Sequence, residues 1–149
     1  MIAIEDIQNT VYAALRAHDY LTDVPVLYDT GGEEPAAETA LGDDGGGCCL
    51  VVSLPVNGEP TDSAKNIAIE NVSICVAIRF NPTRNSANAS NPKDIMKLLR
   101  CVREAVMGWA PENRGSRPFT NFGFESAGLW GEFSYYCIFK ILAAYRLSA

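Results

Sequence analysis

The chain has 149 residues, 48% hydrophobic and 20% charged, with a formal net charge of −6 and a pI near 4.7. That length suits one domain, 1–149, which buries about 68–70% of the surface its unfolded chain exposes. The composition is ordinary for a soluble globular protein, no run approaches the ~20 apolar residues of a membrane span, and the acidic balance argues against nucleic-acid binding as the main activity.

Charge is unevenly spread along the sequence. Residues 1–78 hold thirteen of the eighteen acids but only two of the twelve bases, Arg16 and Lys65, so the remainder is basic. The halves either interleave in space or form opposed patches on one subunit. Opposed patches would give head-to-tail contacts that close into rings or run into filaments. The acidic amino terminus enters a helical pattern directly, and no secretory signal is read there. The five cysteines are odd in number and sit mostly in apolar runs, as small buried hydrophobes of a reducing compartment.

The first expected helix runs from Ile4 to about His18, with Ile4, Ile7, Val11, Leu15 and His18 on one stripe. A short strand follows at Val24–Tyr28, where Pro25 indicates an edge or a strand start. Residues 29–47 hold six acids, no base and Gly45-Gly46-Gly47, and are expected to form a mobile acidic, Gly-rich loop. A strand at Cys48–Leu54 leads to a turn at Asn57-Gly58-Glu59-Pro60. Ile67 and Ile69 share one parity, while Val72 to Phe80 share the other, so a long strand with a bulge at Glu70–Asn71 is expected. Residues 81–91 read as a polar connection.

Asn91 as N-cap, Pro92 in the first turn and Asp94 predict a second helix ending before Pro111. Its apolar stripe is Ile95, Leu98, Leu99, Val102, Ala105, Val106 and Trp109. Opposite lie Lys93, Lys97, Arg100, Arg103 and Glu104, a basic outer face. A strand near Phe119–Ser126, a turn at Gly128–Gly131 and a long strand from Glu132 to Leu147 complete the order α-β-β-β-α-β-β. The fold class is α+β: a mostly antiparallel sheet with two helices packed on one face.

The last strand is apolar on both faces. Phe133, Tyr135, Cys137, Phe139, Ile141, Ala143, Tyr145 and Leu147 share one face. Tyr136, Ile138, Leu142 and Ala144 share the other with Ser134, Lys140 and Arg146. A single small domain covers one such face, and covering the second along its length takes other copies or partners. The chain therefore reads as a subunit of an assembly, with Tyr136, Ile138 and Leu142, and the basic Lys97, Arg100 and Arg103, as candidate interface residues.

Signals for catalysis are weak, and no enzyme, cofactor or metal is expected. With His18 the only histidine, neither a zinc site nor a Ser-His-Asp arrangement is easily built. Cys48-Cys49 is adjacent, with side chains on opposite faces of a strand. Gly45-Gly46-Gly47 lacks the Lys-Ser/Thr of a phosphate loop. Glu33-Glu34 and Asp43-Asp44 could gather a cation, but a solvated acidic loop explains them as well. The aromatics Phe119–Phe124, Trp130, Tyr135 and Tyr136 read as core or interface, or as a ligand pocket.

The amphipathic first helix, short strand, acidic loop, strand pair, capped helix and terminal hairpin ending Phe133-Ser-Tyr-Tyr-Cys-Ile-Phe-Lys-Ile-Leu-Ala-Ala-Tyr-Arg-Leu147 resemble the tail-terminator proteins of tailed bacteriophages, the minor tail protein U type. The resemblance rests on order, length and the closing strand, with no signature motif. It implies a structural virion protein without cofactor, assembled in the host cytoplasm. Such a protein forms a hexameric ring that ends the tail tube and joins it to the neck. Its partners would be itself, the tail tube protein and a neck or connector protein, with DNA only passing through the channel and no membrane contact. Glu33, Glu34, Glu38, Asp43 and Asp44 would then border the channel. Another head–tail joining protein has similar sequence physics, and a cellular α+β ligand-binding domain or enzyme is the more distant alternative.

Overall fold

A computed structural model describes residues 2–29, 34–42, 45–64, 66–88, 91–107, 127–129 and 132–146. Among the described residues seven strands are β1 (Ile2–Ala3), β2 (Val26–Tyr28), β3 (Cys48–Val52), β4 (Val56–Ala64), β5 (Ile67–Phe80), β6 (Ala127–Leu129) and β7 (Glu132–Arg146). Four α-helices are α1 (Ile7–Ala17), α2 (Glu34–Leu41), α3 (Pro82–Asn88) and α4 (Ile95–Met107), with single 3₁₀ turns at Ile4–Asp6 and Asp19–Leu21. The sheet runs β1-β7-β5-β3-β2, with β4 beside β5 and β6 beside β7. Pairing is antiparallel except at β1–β7 and β2–β3, so the fold is α+β with a mixed, mostly antiparallel sheet.

The spine is the β5–β7 pair, in register without a break from Ile67↔Arg146 to Phe80↔Phe133. At ~3.3 Å per residue it is about 45 Å long. Val72, Ile74, Val76, Ile78 and Phe80 alternate toward the same core as Cys137, Phe139, Ile141 and Ala143. That core is closed by Ile7, Val11 and Leu15 of α1 and by Leu98, Cys101, Val102 and Val106 of α4. The two expected helices therefore pack on one face. Of the two arrangements the charge distribution left open, the halves interleave within the sheet, because β7 from the basic half lies between β1 and β5 from the acidic half.

Several expectations are corrected. The 29–47 segment is not a loop throughout, because it contains α2. Pro35 suits a first helical turn, and Ala37, Ala40 and Leu41 fall at the spacing that makes one buried stripe. Ala37 and Ala40 pack on Cys49 and Leu27, on the sheet face opposite α1 and α4. Helices thus occupy both faces. Cys48 joins the main core and Cys49 the smaller cluster, the opposed orientation that their adjacency implies.

Asn57-Gly58-Glu59-Pro60 lies inside β4, and the chain reverses instead at Asn66, whose φ of +68° is a left-handed conformation that asparagine tolerates. The irregularity expected at Glu70–Asn71 belongs to β4, whose pairing with β5 shifts register between Val56 and Glu59 and between Pro60 and Asp62. Residues 81–91 contain α3, and Gly128 lies within β6. Asp94, not Asn91, caps α4, its Oδ1 accepting from the Met96 and Lys97 N–H groups at 2.8 and 3.1 Å. The strand expected near Phe119–Ser126, the helix position of Trp109 and the aromatic Trp130 lie outside the described residues.

Gly47 has φ +84°, and a Cβ there would clash with the backbone nitrogen of Asn85. Its N–H donates to Ala40 O at 2.8 Å and its carbonyl accepts from Asn81 N–H at 2.7 Å, tying α2, β3 and α3 together. Gly47→Ala is expected to cost about 1–3 kcal/mol, read as a lowered midpoint in thermal or urea unfolding.

Candidate assembly surfaces

The second face of the β5–β7 pair is built from the residues whose parity points away from the core. Moving along it, Ile67 stands with Arg146, Ile69 with Ala144, Asn71 with Leu142, Ser73 with Lys140, Cys75 with Ile138, Ala77 with Tyr136, and Arg79 with Ser134. Ile138 is 42% exposed and Ile67 is exposed as well, whereas Phe139, one residue from Ile138, is fully buried. Tyr136 is half-buried. Leu142 occupies the expected register position between Lys140 and Ala144. α2 packs at the β2–β3 end of this face, on Leu27 and Cys49. Of the described acids, none belongs to the parity that faces outward between Ile67 and Arg79 or between Ser134 and Arg146.

The basic face of α4 is less free than its sequence suggests. Lys93 is not on the outer face: its side chain is 3% exposed, and Nζ donates to Asp23 Oδ1 at 2.7 Å and to Tyr20 O at 3.0 Å. The Asn85 side chain brackets the Lys93 peptide, donating to its carbonyl at 2.8 Å and accepting from its N–H at 2.9 Å. Lys97 lies 4.4 Å from the Tyr20 ring centre, and Arg100 pairs with Glu104 at 3.3 Å. Arg103 is half-buried beside them. Lys97 and Arg100 do share the outward side of α4, as their spacing predicts, yet each already has a partner within the protomer.

The acidic candidates divide. Glu38 stands exposed on α2, and Glu34 begins that helix. Glu33, Asp43 and Asp44 lie outside the described residues.

Among the described residues, one group of metal-ligating atoms comes together: His18, Cys101 and Glu104, within 4.8 Å of one another. The imidazole geometry argues against a metal. Tyr20 N–H donates to His18 Nδ1 at 3.2 Å, which places the ring proton on Nε2, 3.2 Å from Glu104 Oε2. A metal at Nε2 would displace that proton to Nδ1, directly against another donor. The cluster works instead as a pin between the end of α1 and α4, which sequence reading missed because its partners are 86 residues apart.

The cysteines offer no ready nucleophile. Burial pushes the thiols of Cys48, Cys75 and Cys137 up to about 11, leaving them protonated near neutral pH. No described helix is long and apolar enough to cross a membrane. No protein-family model matches the chain, and no curated protein matches it in sequence.

Proposed function

We propose that the chain is a structural subunit that assembles into a ring, acting as a phage tail terminator that ends the tail tube and meets the neck. The observation that supports it is the β5–β7 pair: a spine about 45 Å long, closed by helices on one side and carrying Ile138, Tyr136, Ala77 and Cys75 on the other. A strand pair that is apolar on both sides is suited to burial between subunits. In this reading the acids of the 29–47 segment, including Glu38 on α2, border the channel, where negative charge keeps passing DNA from adhering. The tail tube and neck proteins are its partners, and it carries no catalytic group.

Light scattering of the purified protein at low and high salt, followed by negative-stain imaging, tests the ring. A closed ring of about six copies is expected. A protein that stays monomeric at high concentration in every salt would count against the proposal.

A further inference from the structure

Resting on that ring reading, we propose that the outward face of the β5–β7 pair receives the solvent side of α1 from a second copy of the chain. Lys140 and Arg146 lie on this face six residues apart, which is about 20 Å along a strand. Neither makes an ion pair among the described residues. Arg79 adds a third cation of the same parity at the far end. Between them stand Ile138 and Tyr136. The face is therefore cationic and apolar together.

Its complement is on the other side of the protomer. α1 packs its Ile7–Val11–Leu15 stripe into the core and turns Asn9, Ala13, Arg16 and Ala17 to solvent. Glu5 and Asp6 are exposed before its first turn, and Asp19 is exposed after its last. Arg16 is the only base in residues 1–64. Arg16 stands on this outer side itself, which stays net acidic through the exposed Glu5, Asp6 and Asp19; Ala13 near its middle and Ala17 at its end are small, and the acids flank it at both ends. Helix dipoles and side chains agree here, since the acids before α1 sit at its positive end.

Placement completes the case. α1 lies on one side of the sheet and the cationic face on the other, so the two surfaces cannot meet within a protomer. A contact between them is head-to-tail, and repeated by rotation it closes into a ring. The α4 cations Lys97 and Arg100 are weaker candidates for this contact, because Tyr20 and Glu104 already engage them.

Charge reversal in three forms of the full chain tests the contact: Lys140→Glu with Arg146→Glu; Glu5→Lys, Asp6→Lys and Asp19→Lys; and all five together. Assembly is followed by light scattering and folding by circular dichroism melts. Each partial variant should stay folded and need at least about tenfold more protein to assemble, and the combined variant should regain assembly. Ile138→Asp, which leaves every charge pair in place, should weaken assembly as well. Rings that form normally from both partial variants would overturn this contact while leaving the ring intact. A wild-type chain that never forms a ring would overturn the proposed function and this contact with it.

Discussion

Phe139→Ala is expected to cost about 3–5 kcal/mol of folding free energy, measured by urea unfolding of the monomeric form. Among the described residues Phe139 is the largest fully buried side chain, and it sits at the centre of β7, with Ile74 opposite it on β5. Truncation removes a ring from a close-packed core whose surrounding strands are held at both edges and cannot collapse to fill the space. The neighbouring Ile138→Ala provides the contrast. Its side chain points the other way and is already 42% exposed, so the same assay should register less than about 1 kcal/mol. Its loss should appear instead as weaker self-association. Equal folding costs at the two positions would mean that both sides of the strand are core and would remove the basis for an assembly face.

The second large effect concerns the buried ammonium of Lys93. Asp23→Ala should cost about 2–3 kcal/mol, since it leaves a cation that is 3% exposed without its carboxylate. The figure lies below that for a fully buried pair because Asp23 is itself 45% exposed and the Tyr20 carbonyl still accepts from Nζ. Lys93→Met should cost less, because the abandoned carboxylate simply hydrates while a methionine fills the slot. The pH dependence follows. Burial alone would raise the Asp23 carboxyl, but hydrogen bonds and charge from Lys93, with help from Asn91, outweigh it and hold the carboxyl below its ordinary value. The pair's stabilisation is therefore complete above the ordinary carboxylate range and fades as pH falls through the lowered value. Acid titration of stability should show this step in the wild type and lose it in Lys93→Met.

What could be read from the sequence follows from where periodic signals are strong. The last strand, the stripe of α1 and the stripe of α4 were legible because each buries a continuous apolar series at one period. The opposed Cys48 and Cys49 follow from the same alternation. α2 was missed because its buried residues are Ala37, Ala40 and Leu41, two of them small, set among acids and glycines that suggest a loop. β4 was missed because Gly58 and Pro60 usually break strands, yet an edge strand with two register shifts accommodates both. Lys93 looked like a surface residue by its type. Only the tertiary meeting of Asp23, Tyr20 and Asn85 makes its burial affordable. The second face of β7 could be named residue by residue, but its cationic character emerges only when the β5 register brings Arg79 into line with Lys140 and Arg146.

The irregular β4 also bears on what happens before any ring exists. A long strand pair would ordinarily invite further strands to add along its border, the route to fibrous aggregates. Here the β5 border beyond β3 is taken by a strand that carries Pro60, which offers no N–H to a newcomer, and that twice breaks step with its neighbour. Backbone-to-backbone growth is thereby discouraged while side-chain contact across the sheet remains open. On the proposed ring reading, free subunits resist fibrous growth and stay available for the face-to-helix contact.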